Sequence, residues 1–207
     1  MTEIAENDLL SRVLLEQDVD KYLSLLSDGS LDGAFPPQGE IDFSSLLRVK
    51  CKWSVPGKVA WIKQWFGDNP GLFPSGITLR FPLWSKYGCH MDDAGNVRFP
   101  LPALMKRFDP LVKYVFHESA HLIIARTQGY RDLLTLDKAF LSKCGADKQA
   151  ICLSPVEYFA SRLSVSLLDG AAAYLGETRL AMRLLMQKGV EERKLSRAIS
   201  AFTASRQ

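Results

Sequence analysis

Residues 110–128 read as a helix that is apolar over most of its surface, yet its central turn is ionisable. Leu111, Val112, Val115, Phe116, Leu122, Ile123 and Ile124 supply the apolar surface. Asp109-Pro110 has the pattern of an N-cap followed by proline at the first helical position, and Gly129 stands where a C′ glycine belongs. Between these limits lies His117-Glu118-Ser119-Ala120-His121. Ionisable groups in so apolar a helix are costly unless they have partners. Histidines four apart are separated by about 40° around the axis and about 6 Å along it, so both imidazoles can reach one metal ion from the same face. A glutamate directly after the first histidine points to the side, where it can take a proton from water at that ion. The pattern therefore predicts His117 and His121 as metal ligands and Glu118 as a general base.

A further ligand has to come from elsewhere in the chain. No histidine follows His121, which leaves a carboxylate or a cysteine. Ser154-Pro155-Val156-Glu157 opens another predicted helix, and Glu157 is the first candidate. The same four residues also fit a capping box, with serine at N-cap, proline at N1 and glutamate at N3. Asp132, Asp137 and Asp147 lie in the intervening segment without a helical context that would aim them. Cys144 and Cys152 are thiol alternatives, of a kind commoner in closed structural sites than in sites that hold water.

The H-E-x-x-H at 117–121, followed by Glu157 on the next helix, resembles the gluzincins, zinc peptidases with this division of ligands. Residues 77–170 most resemble the small single-domain minigluzincins. The resemblance implies that His117, His121 and Glu157 hold one Zn2+ per chain. It also implies hydrolysis of a peptide or protein substrate by a metal-activated water, with Glu118 accepting the proton, in an enzyme that is latent or partner-specific. The implied fold class is α+β, mainly helical, with a zincin-like pair of helices and a small antiparallel β-hairpin. Ile77–Trp84 and Asn96–Leu101 supply the strands, Asp92–Gly95 the turn, and an edge strand accepts extended peptide. Small Ala160 allows two helices to approach beside the metal. Larger gluzincins carry an aspartate four residues after the ligand glutamate to orient a zinc histidine, and here that place holds Ser161. Candidates for stabilising the oxyanion are Tyr158, Arg162 and Tyr174. The missing aspartate keeps a second class open: a non-catalytic zinc-binding regulatory or interaction protein on a zincin scaffold.

The rest of the chain bounds these expectations. Its 207 residues are 47% hydrophobic and 24% charged, enough for a substantial core. No run approaches a membrane span, and Met1–Glu6 lacks the basic and apolar regions of a secretory signal. The expected location is cytoplasmic, with Cys51, Cys89, Cys144 and Cys152 as free thiols. Residues 1–42 are strongly acidic and the remainder is basic, for a net charge of +3. This asymmetry predicts an acidic N-terminal helical extension over 1–40 that folds back on a metallopeptidase domain over 41–207 and gates its cleft. Nucleic acid is not an expected partner, because the positive charges are dispersed. Helices are predicted over about 7–27, 42–50, 56–66, 131–143, 155–169, 171–187 and 191–204. Trp53, Trp61 and Trp65 read as core, and 27–39 as a long loop. Cys89 and His90 follow the first strand and read as a hairpin turn; the alternative is a thiol that restrains the metal.

Overall fold

The computed structural model describes residues 11–31, 40–48, 53–92, 96–145 and 147–204. The fold is mainly helical with one small mixed sheet. A helical stretch over 11–16 precedes α1 (Val19–Asp28), α2 (Ser45–Arg48) and α3 (Val55–Asp68). Strands β1 (Thr78–Arg80), β2 (His90–Met91) and β3 (Asn96–Arg98) follow. Next come α4 (Leu101–Leu104), α5 (Phe108–Ala125), α6 (Tyr130–Cys144) and α7 (Lys148–Leu153), and then the long helices α8 (Pro155–Leu175) and α9 (Arg179–Ala204). No helix among the described residues is long and apolar enough to cross a membrane.

The centre of the core is α5, packed along α8, with α9 against both. Phe108, Leu111, Val112, Val115, Phe116 and Ile124 are fully buried, which makes α5 apolar nearly all round. Trp61 and Trp65 are also fully buried and meet Phe108 and Phe116 at ring-centroid distances of 4.8 Å each. Burial of each such aromatic stabilises the fold by about 1.5–3 kcal/mol. Trp61 and Trp65 are therefore core, as the sequence suggests, whereas Trp53 is not: it is 62% exposed and meets Phe108 only at a ring-centroid distance of 6.5 Å. Trp65 also donates its indole N–H to the Ser119 hydroxyl at 2.9 Å, and Ser119 donates to the Val115 carbonyl at 2.7 Å. The middle of α5 is thereby fastened to α3.

The local signals at the ends of α5 are used differently from the sequence expectation. The helix begins two residues earlier, at Phe108, and Asp109 lies within its first turn, 5% exposed and 3.5 Å from Arg107. Packing of Phe108 against Trp61 sets that start rather than an aspartate cap. The helix ends at Ala125, where the Arg126 and Thr127 N–H groups turn back to Ile123 and Ile124. Gly129, at φ −85, opens α6 instead of closing α5.

The sheet differs from the expected hairpin. Strand β3 is central; it pairs antiparallel with β2 and parallel with β1, in the order β1-β3-β2. The two segments expected to form an antiparallel pair are thus parallel neighbours, and the true hairpin partner of β3 is His90–Met91. Asp92 fixes that hairpin by accepting from the Asn96 backbone and amide and from Arg98. The Arg98 guanidinium, with Asn96, holds the Asp92 carboxyl down at about 2.

Three helix boundaries also moved. The predicted helix over 7–27 is interrupted at Gln17, which has φ 53, and restarts with Asp18 capping the Lys21 N–H; residues 7–10 lie outside the described residues. In the last third, α8 runs through Gly170 and the chain breaks at Gly176, φ 61, before α9 runs through Gly189. Glycine within a helix costs about 1 kcal/mol relative to alanine. At Gly170 a Cβ would lie 3.2 Å from the Phe43 ring, so the absent side chain gives that ring its seat.

The described part of the acidic N-terminal segment contributes to the common core. Val19, Tyr22, Leu25 and Leu26 are buried, and the Tyr22 hydroxyl donates to the Leu153 carbonyl at 2.8 Å. None of residues 11–31 lines the cavity described below. Most of the loop expected over 27–39 lies outside the described residues.

Candidate metal centre

The middle of α5 and the first turn of α8 bring three metal-ligating side chains together. The Nε2 atoms of His117 and His121 are 3.2 Å apart. One carboxylate oxygen of Glu157 lies 3.4 Å from His117 Nε2, and the other lies 3.4 Å from His121 Nε2. A tetrahedral ion with ligand bonds of about 2.05 Å needs ligands about 3.3 Å apart. The donor set, two imidazoles and a carboxylate, and its spacing both fit such an ion.

Glu157 is aimed by a cap supplied from another helix. Ser154 stands at the N-cap of α8 but makes no side-chain cap bond there. Instead, Asp137 on α6 accepts the Val156 N–H at 2.9 Å and also bonds the Ser154 side chain. The capping-box use of Glu157 is therefore not adopted, and its carboxylate turns to the histidines. Burial raises the Asp137 carboxyl above its ordinary range, against the pull of those two bonds. Asp147 caps α7 through the Gln149 and Ala150 N–H groups, and Asp132 lies in the first turn of α6. None of the three aspartates belongs to the ligand cluster.

The electrostatics of the four central groups are set by burial and proximity. Burial pulls His121 down to about 4, helped by the neighbouring His117, and so keeps His121 neutral. Burial also pulls on His117, but the hydrogen bond and charge of Glu157, with Glu118 and Glu191, outweigh it and raise this imidazole. Glu157 would be raised by burial, yet the His117 hydrogen bond and both histidines bring it down to about 2. Glu118 is 4% exposed, and burial drives it up to about 7, while the Met91 backbone N–H bonds its carboxylate. Strand β2 thus holds the glutamate in place.

These groups open onto a cavity of about 890 Å³. Its wall includes Cys89 and His90, and the thiol of Cys89 is pushed up to about 12 by burial and by Glu118. His90 bonds the Gly88 carbonyl within its own turn. Among the described residues Cys89, Cys144 and Cys152 form no disulfide, and Cys51 lies outside the described residues.

The remaining sequence candidates lie off this wall. Tyr158 and Ser161 are each 1% exposed within α8, and Tyr158 packs on Phe159. Tyr174 is 48% exposed beside Phe43, and neither it nor Arg162 lines the cavity. In their place the cavity presents Lys113, Tyr114, Tyr130, Glu191 and Lys194, which sequence reasoning missed. Lys113 was within reach of that reasoning, since it stands four residues before His117 and shares its helix face. Glu191 and Lys194 reach the site only because α9 packs back across α5. No family model matches the chain, and no curated protein or solved structure matches it.

Proposed function

We propose that the chain is a zinc-dependent peptidase of the gluzincin type, built on a zincin-like pair of helices, α5 and α8. One observation carries this reading: the donor atoms of His117, His121 and Glu157 converge at 3.2–3.4 Å, and Glu118 shares their cavity. A zinc ion held by these three would supply a Lewis acid that lowers the pKa of water towards about 7 and polarises a peptide carbonyl. Glu118 is the group that accepts the proton from the attacking water and passes it to the leaving amine. In the metal-free chain burial raises this carboxyl, the direction that makes it a better proton acceptor. The Met91 N–H keeps that carboxylate oriented. Because Met91 spends its N–H there, the β2 edge has less backbone to offer an extended substrate than a free edge strand would. Oxyanion stabilisation would fall to donors of the cavity wall beside a bound ion, in place of the buried Tyr158 or the outlying Arg162 and Tyr174.

The test is zinc content and hydrolysis of a broad peptide library by the wild type, Glu157→Ala and Glu118→Gln. The expected result is one zinc per chain in the wild type, loss of zinc from Glu157→Ala, and zinc without turnover in Glu118→Gln. Turnover retained by Glu118→Gln sinks its role as base. Zinc held by a wild type that cleaves nothing identifies a binding module instead.

A further inference from the structure

We propose that the cavity selects a substrate carrying a carboxylate, which lodges against Lys113 and Lys194 one or two residues from the bond that is cut. The proposal rests on the peptidase reading and adds a substrate class to it.

Three observations carry it. Glu191 of α9 is 4% exposed, and its two oxygens accept from Lys113 Nζ at 3.1 Å and Lys194 Nζ at 3.0 Å. One carboxylate therefore fixes two ammonium groups, and the trio leaves a net positive charge on the wall that also holds His117 and Glu157. A buried carboxylate such as Glu191, paired with one largely covered and one half-exposed lysine, is expensive to keep where an apolar side chain would serve stability as well or better. Its position beside the candidate metal gives the expense a use.

The second observation is reach. Lys113 precedes His117 by one helical turn, about 6 Å along the axis. An extended peptide advances about 3.3–3.6 Å per residue, so a substrate group at Lys113 belongs one or two residues from the carbonyl at the metal. The third is the rim: Lys106 adds an ammonium 5.5 Å from the Tyr114 ring, whose other cation neighbour is Lys113 at 5.1 Å. With Glu157 committed to an ion, Glu118 is the one cavity carboxylate left without a cation of its own among these groups. An anionic substrate group is favoured on this wall and a cationic one is repelled.

The carboxylate has two sources, an acidic side chain or the C-terminus of the substrate, and one binding experiment separates them. Zinc-loaded Glu118→Gln protein is titrated with three fluorescent peptides of one apolar sequence. The first carries glutamate near the centre and an amidated C-terminus. The second has glutamine there and an amidated C-terminus, and the third has glutamine and a free C-terminal carboxylate. One of the two carboxylate peptides is expected to bind about tenfold or more tightly than the neutral one, as charge-assisted hydrogen bonds are worth. Which of them does so names the source.

Lys194→Gln, at a half-exposed position, and the charge-balanced double variant Lys113→Gln/Glu191→Gln should both erase the preference. A preference that survives in both places the carboxylate on the ion and overturns the proposal, as does equal binding of all three peptides or binding of none. Hydrolysis of the neutral peptide without any carboxylate preference overturns this subsite alone. A lysine-dependent preference in a protein that hydrolyses nothing overturns the peptidase reading and keeps the subsite.

Discussion

Asp137 touches no metal-ligating atom, yet its replacement by alanine should cost both stability and metal affinity. Its carboxylate accepts the Val156 N–H at 2.9 Å and bonds the side chain of Ser154, which is 2% exposed. Alanine would leave an orphan N–H in the first turn of α8 and a buried hydroxyl short of a partner. Loss of a helix cap costs about 0.5–2 kcal/mol, which for a chain of this size lowers the melting temperature by about 1–8 °C. Glu157 lies one residue beyond Val156, so the same loss lets its carboxylate drift from the histidines. Loss of a group that orients a ligand typically weakens metal binding about 10–100-fold. The assay is thermal unfolding of metal-free Asp137→Ala together with competitive zinc titration of the protein at about 20 °C below its melting point, a margin more than twice the largest expected shift. Asp137→Asn, which keeps an acceptor oxygen, should recover most of both losses. A variant that melts lower but binds zinc as tightly as the wild type would refute the claim that this cap aims Glu157.

Further outcomes follow from the same geometry. Glu118 is raised from the ordinary 4.5 to about 7, so the metal-free folded protein holds that proton more tightly than the unfolded chain. Stability therefore falls as pH rises from 4.5 to 7, by about 3 kcal/mol, and Glu118→Gln should remove that component. Urea melts from pH 4 to 8 measure it as the difference between the two curves, and parallel curves would show the glutamate is not so perturbed. Tyr22→Phe should cost about 1 kcal/mol through the lost bond to Leu153, measured by urea unfolding. Deleting residues 1–31 removes Val19, Tyr22, Leu25 and Leu26 from the core, at about 1.5–3 kcal/mol each. That truncation should unfold the protein rather than activate it, and an intact near-UV circular dichroism spectrum would contradict this. Cys89→Ser should leave zinc content and hydrolysis unchanged, because the thiol stays protonated at neutral pH; a large activation would reveal a restraint on the metal.

What the sequence determined on its own was local. The four-residue spacing of His117 and His121 places both on one face of any helix that contains them, because the α-helical period is fixed by backbone geometry. The apolar residues around them required that helix to be buried, and α5 is. The hydrophobic periodicity likewise located α3 and α6 to within a residue or two. Glycines and caps were less decisive, since each has a local use and a tertiary one. Gly170 reads as a helix end but serves the Phe43 ring, and Asp109 reads as a cap but lies buried within its helix. Tertiary structure alone decided the rest. It turned Glu157 from a cap into a neighbour of both histidines by supplying Asp137 in its place. It made β1 and β3 parallel by inserting β2 on the far side of β3. It brought Glu191 and Lys194 across from α9 to Lys113. Such contacts depend on how whole helices pack, and packing sums many weak apolar contacts that no short stretch of sequence contains.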